Sequence, residues 1–169
     1  DLRFRLVKAE YAMRRDADAG QDFRTVVAGL PPDEVSGKLL ELQRYLRGID
    51  RADAAASYLE EYVRDHPARL DVARELAEVR IAAGAAASVG DLARSLRPEE
   101  ADASEVLDFA EFLLASGLAQ PARTLVEAKL AAEPRQFELG LQLVEILGRN
   151  GDASAVKERT ASLREMADT

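Results

Sequence analysis

The chain reads as all-α, a solenoid of about five antiparallel helix hairpins, and three observations support this. Glycine falls at 84, 117 and 151, spacings of 33 and 34, each time at the end of an apolar helical stretch. Proline falls at 32, 67 and 134, spacings of 35 and then 67, the latter being two further units of the same period. Two punctuation marks in different phases of one period near 34 residues mark stacked helical hairpins. Strand signals are nearly absent: no stretch alternates polar and β-branched residues for long, and no Asn-Gly hairpin is flanked by such stretches.

Apolar spacing and caps then predict each helix in turn. The first covers about 2–15, with Phe4, Val7 and Tyr11 on one face, and its partner about 18–29, with Phe23, Val26 and Val27. A third runs from Pro32 to Arg47, aligning Leu39, Leu42 and Leu46. Asp50 is expected to cap a fourth, about 51–65, whose Tyr58, Leu59, Tyr62 and Val63 form a wide apolar face. Pro67 suits the first residue of a fifth, ending near Gly84, because its missing N–H would be unpaired there anyway.

The sixth helix, about 85–96, is the thinnest, built on Ala85, Ala86, Ala87, Val89, Leu92, Ala93 and Leu96. After a polar connector at 97–100, Asp102 and Glu105 have the form of a capping box for the seventh, which ends at Gly117. The eighth spans about 119–132, the ninth about 135–149, and Asp152 caps a tenth that continues to about Ala167. Ten helices joined by such short connections pack as antiparallel neighbours. Frequent alanine, the best helix former and a small side chain, suits close helix approach.

Composition removes several functions. Hydrophobic residues make up 47% of the 169, enough for a substantial core. A net charge of −8 argues against nucleic acid, which demands clustered Lys and Arg, and against an anionic membrane surface. With no cysteine, disulfides, thiolate metal sites and thiol catalysis are excluded. No apolar run approaches the roughly 18 residues of a membrane span, so direct membrane insertion is not expected of this segment. The chain opens at Asp1 inside a helical pattern, as an excerpt of a longer protein would. Compartment therefore stays open, with the cytoplasm slightly favoured, and the Ala- and Arg-rich composition suggests a bacterial source.

The pattern resembles a tetratricopeptide repeat array over essentially the whole chain. The unit from Ser36 carries Leu39, Leu42 and Leu46, then Ala55, Leu59 and Tyr62, and closes at Pro67. The unit from Ala103 carries Val106, Phe109, Ala110 and Leu113, then Ala122 and Val126, and closes at Pro134. The opening unit keeps Phe4, Val7, Tyr11, Gly20, Val27 and Pro32. Departures are Lys8, Gln43 and Val144 at the usually small position, Arg80 and Lys129 at apolar or small ones, and Ala101 in place of a closing proline. The resemblance implies one domain over 1–169, with units near 1–35, 36–69, 70–102, 103–136 and 137–169, coiled as a right-handed superhelix.

It also implies a concave groove that binds another protein's peptide or helix. Projected onto this chain, the groove positions are Arg5, Leu40, Arg44, Arg47, Asp71, Arg74 and Glu78, then Glu111, Leu114, Leu141, Glu145 and Arg149. Arg44, Arg47 and Arg74 would make the first half, which also holds Glu78, mainly basic and suited to an acidic partner segment, while the second half, with Glu111 and Glu145, leans acidic. The alternative is that these long charged side chains only solvate an unused face. The family's clamp for a chaperone's C-terminal carboxylate is not expected, since Asn150, the only asparagine, falls in a turn.

No catalytic constellation emerges. His66, the one histidine, precedes Pro67 at a helix boundary and reads as a surface turn residue. The pairs Glu60-Glu61 and Glu99-Glu100 read as solvated carboxylates, and neither metal-ligand spacing nor a phosphate-binding glycine loop occurs. The expectation is a non-catalytic interaction scaffold with no cofactor and no metal. Two alternatives stand beside it: a self-association module forming a homo-oligomer, and a spacer or regulatory domain of a larger multidomain protein. Phe112, which falls off the main apolar face of its helix, is a candidate contact residue.

Overall fold

The computed structural model describes residues 2–167. Its helices are α1 (Leu2–Ala12), α2 (Asp16–Val27), α3 (Pro32–Gly48), α4 (Ala56–Asp65), α5 (Leu70–Ala82), α6 (Ala87–Ser95), α7 (Ala103–Ala115), α8 (Ala119–Ala132), α9 (Phe137–Arg149) and α10 (Ala153–Ala167). Short 3-10 turns cover Ala52–Ala55 and Pro98–Glu100, and no strand occurs among the described residues, so the protein is all-α.

The chain divides into two compact units, one ending at Asp65 and one beginning at His66. In the first, α1 packs along α2, and α3 packs on both and on the turn leading into α4. Its core holds Tyr11, Phe23, Leu39, Leu42, Leu46 and Leu59. In the second unit α5 meets α6 and α7, α8 meets α6, α7 and α9, and α9 meets α7 and α10. Leu70, Leu76, Phe109, Leu113, Leu125 and Leu139 fill that core. Ala19 and Ala122, each early in the second helix of a pair, and Ala55, at the end of the 3-10 turn before α4, are fully buried, which lets the paired helices approach closely.

Helices α1, α3, α5, α7 and α9 end alike. The residue after the C-cap adopts a left-handed conformation: Arg14 (φ 60°), Asp50 (φ 59°), Gly84 (φ 74°), Gly117 (φ 77°) and Gly151 (φ 73°). Each closes the same pair of backbone bonds. At Gly117 its own N–H donates to the Leu114 carbonyl (3.0 Å), and the Leu118 N–H donates to Leu113 (2.8 Å). At Asp50 the counterparts are Asp50 to Arg47 (3.2 Å) and Arg51 to Leu46 (2.8 Å). These bonds satisfy the last carbonyls of each helix, and glycine enters the geometry without Cβ strain. The glycine period of the sequence thus extends to two positions held by other residues.

Asp50 therefore does not cap the fourth helix: it ends the third, and a 3-10 turn precedes α4. Pro67 likewise lies in a turn closed by the Arg69 N–H on the His66 carbonyl (3.0 Å), and α5 starts at Leu70. The Asp102–Glu105 box does open α7, with Glu105 accepting from the Asp102 N–H at 3.4 Å. Asp152 caps α10 by accepting from the Ala155 N–H at 3.1 Å.

Side chains and backbone also tie three of the connectors to the next helix pair. Tyr62 Oη donates to the Pro32 carbonyl (2.7 Å), and the Arg97 N–H donates to the Pro67 carbonyl (3.0 Å). Lys129 Nζ donates to the Ala101 carbonyl (2.6 Å). Lys129, which breaks the apolar register in sequence, is buried because these connector carbonyls need a donor.

Candidate functional site

Arg44, Glu78, Glu111 and Glu145 share one register, each six residues before the left-handed residue that ends its helix. In the first unit Arg44 and Arg47 are exposed on α3. Arg44 has no carboxylate partner among the described residues, whereas neighbouring Lys8, Lys38 and Glu41 are engaged with one another. Lys8 Nζ meets Glu41 at 2.7 Å and lies over the rings of Phe4 (4.6 Å) and Tyr45 (5.6 Å). The hydrogen bond from Lys8, foremost, and the nearby Lys38 charge hold the Glu41 carboxyl below the usual carboxylate range.

In the second unit α5, α7 and α9 pack in a row, α5 on α7 and α7 on α9. Arg74 is exposed on α5, and its guanidinium lies 5.2 Å from the centre of the Phe112 ring on α7. Phe112 is half-buried, with its ring centre 6.4 Å from that of Phe109. The structure thus joins two side chains that the sequence marked for separate reasons. Glu78 is half-buried and Glu111 exposed. Glu145 is exposed and paired with Arg149 at 2.7 Å, while another arm of Arg149 donates to the Leu114 carbonyl on α7 at 3.3 Å.

Not every projected groove residue is open. Leu114 is buried with Phe109, Ala110 and Leu113 on α7, which packs against α5, α8 and α9. Asp71 is gripped by Arg69 through two bonds of 2.9 and 3.2 Å. Leu141 is 50% exposed, Arg5 is exposed and Leu40 is half-buried.

Two features escaped sequence reasoning. Arg51 bridges the end of α1 and the start of α2, donating to the Tyr11 carbonyl (2.9 Å) and to Asp16 (2.6 Å). Tyr11 lies beside Tyr58, and burial, with a smaller effect of Tyr58, raises its hydroxyl above the usual tyrosine range. Neither contact has a local sequence signal, since the partners lie 35 or more residues apart.

His66 is half-buried in its turn, and Glu60, Glu61, Glu99 and Glu100 are exposed. No group of three or more His, Asp or Glu among the described residues is arranged to hold a metal ion. An open cleft of about 800 Å³ lies between the start of α9 and the end of α10, lined by Arg135, Phe137, Ser162, Glu165, Met166 and Ala167. No helix of the described residues is long and apolar enough to cross a membrane. No family model matches the chain, and no curated protein matches it.

Proposed function

We propose that this chain is a non-catalytic protein-interaction scaffold, an array of five tetratricopeptide-like helix hairpins that holds a peptide or helix of another protein. The observation that carries the reading is the recurrence at 14, 50, 84, 117 and 151 of one left-handed helix end with one pair of backbone bonds. A repeated helix end at a near-constant interval is what a stack of equivalent hairpins requires. The common register of Glu78, Glu111 and Glu145 supports the same reading, since α5, α7 and α9 pack in a row within the second unit.

The array is tested by deleting residues from Pro134 onward. In a stack each hairpin chiefly contacts its neighbours, so the shortened chain keeps its helical circular dichroism and a cooperative melt. Global unfolding would indicate a single indivisible core instead. Partner binding is tested by reversing Arg44 and Arg74 to Glu and measuring recovery of bound proteins from the source cell. Recovery falls, and falls further with salt in the wild type, if an acidic segment docks there. A reversal at Arg123, which pairs with Glu127 at 2.7 Å, leaves recovery intact. Loss with Arg123 alone, or with neither, overturns the assignment. Because Arg74 also covers Phe112, the melting temperature of each variant is the control.

A further inference from the structure

Glu41 is held between two lysines. It accepts from Lys8 on α1 at 2.7 Å and meets Lys38, one turn back on its own helix, at 3.5 Å. Both lysines are also held by aromatic rings. Lys8 Nζ lies 4.6 Å from the centre of the Phe4 ring and 5.6 Å from that of Tyr45, and Lys38 Nζ lies 4.6 Å from that of Phe4. The Tyr45 hydroxyl donates to the Lys8 carbonyl at 2.9 Å, which ties the α1 backbone to α3 at the same point. The lysines are thus a preformed pair. The Glu41 side chain, 44% exposed against 25% and 31% for Lys8 and Lys38, is the member of the trio that water reaches most.

Charge on these two helices is one-sided. From Val35 to its end α3 carries Lys38, Arg44 and Arg47 against Glu41 alone. Helix α1 carries Arg3, Arg5 and Lys8 against Glu10 alone, and Glu10 is buried. Arg44 follows Glu41 by three residues, which makes them neighbours on the helix. Arg44 nevertheless makes no ion pair with it, since the two lysines take that carboxylate. Gly37, Glu41, Arg44 and Gly48 stand at i, i+4, i+7 and i+11, one stripe of α3. Gly37 and Gly48 are exposed, and a Cβ on either would meet nothing within 4 Å. No packing demand explains the interior helical glycine at 37, and its bare backbone lets another main chain come close.

We infer that Glu41 is an internal stand-in for a carboxylate of the partner: an acidic peptide segment lies along the Gly37–Gly48 stripe, pairs with Arg44, and displaces Glu41 from Lys8 and Lys38. This role for Glu41 rests on the reading above that an acidic segment docks at Arg44, and adds where the segment lies and what it must compete with. Partly buried ammonium groups fixed against rings favour an anion between them, so another carboxylate takes the place of Glu41 when it leaves. A half-exposed ion pair contributes little, which makes that exchange nearly even. Arg44, which gains a carboxylate only on binding, tips it toward the partner.

The test uses the whole chain and a rhodamine-labelled octaglutamate peptide with blocked ends, followed by fluorescence anisotropy at about 20 mM salt, where charges are weakly screened. Glu41→Gln removes the competing charge and keeps its shape, and should tighten binding about two- to fivefold. Glu41→Ala, a second variant with a good helix former, should act in the same direction. Arg44→Gln should weaken binding by a similar factor. Glu61→Gln, the same charge change on an exposed position of α4, should leave binding unchanged. Melting curves show that each variant is folded at the assay temperature. Should Arg44→Gln weaken binding while both Glu41 variants leave it unaltered or weaken it, the stand-in role is overturned and acidic docking at Arg44 stands. Should octaglutamate bind none of the proteins, or all of them alike, both fail. A gain with Glu61→Gln equal to that with Glu41→Gln reduces the effect to net charge and overturns the stand-in role. Tighter binding of an oligothymidylate of matched charge overturns it in favour of a nucleic-acid partner.

Discussion

Lys129 and Ala101 are joined by a buried hydrogen bond of 2.6 Å from the lysine ammonium to the backbone carbonyl. The same ammonium meets the Glu133 carboxylate at 2.7 Å, so the charge is both solvated by the connector and paired. A lysine that is 3% exposed is tolerable only with such partners.

Lys129→Met should therefore destabilise the protein by about 1–3 kcal/mol, because it orphans a buried carbonyl. Urea denaturation measures this, and an unchanged midpoint would refute the role. The hydrogen bond from Lys129, followed by that from Gln136, also holds the Glu133 carboxyl below the usual carboxylate range. A carboxyl whose folded pKa is depressed contributes stability above its unfolded pKa and loses it as pH falls through the folded one. The acid limb of the stability profile should accordingly be shallower in Lys129→Met than in wild type.

The repeated helix end makes an opposed pair of predictions. Asp50→Gly replaces a residue with φ of 59° by the one residue that, lacking a Cβ, enters that region freely, and should stabilise by up to about 1 kcal/mol. Gly117→Ala, at φ 77°, should cost about 1 kcal/mol or more. Thermal melts of both variants decide it, and shifts of the same sign would contradict the shared geometry.

Gly20 lies against Tyr58. A Cβ at that position would overlap the Tyr58 hydroxyl, and the ring cannot swing aside easily because Phe23 meets it edge-on at 5.5 Å and Arg24 lies over it at 5.2 Å. Gly20→Ala should destabilise by roughly 1–3 kcal/mol despite alanine's better helix propensity. In a Tyr58→Phe background the loss should shrink by at least about 0.5 kcal/mol, a coupling that a double-mutant cycle measures. Simple additivity would refute the contact.

Glu10 is 5% exposed, and its Oε2 has no hydrogen-bond partner. Glu10→Met fills the same space without a carboxylate to desolvate, and should raise the unfolding free energy by about 1–2 kcal/mol. A loss on substitution would show that the carboxylate is satisfied in solution.

What the sequence determined by itself is the part of this protein governed by local energetics. The 3.6-residue apolar period marked the helices, the glycine period marked three of the repeated ends, and Asp102–Glu105 and Asp152 marked two helix starts. Each of these depends on residues within a turn or two of one another. Tertiary structure decided the rest. Arg14 and Asp50 take the left-handed position without being glycine, because the helix must end there for the next one to pack. Lys129 is drawn inward by a carbonyl 28 residues away, and Arg51 reaches the Tyr11 carbonyl 40 residues back. Leu114 goes into the core while Leu6 and Leu141 stay out, although all three are leucines within helices. Which face of a helix meets a neighbour depends on contacts about one repeat length away, and no local pattern of residues encodes that distance.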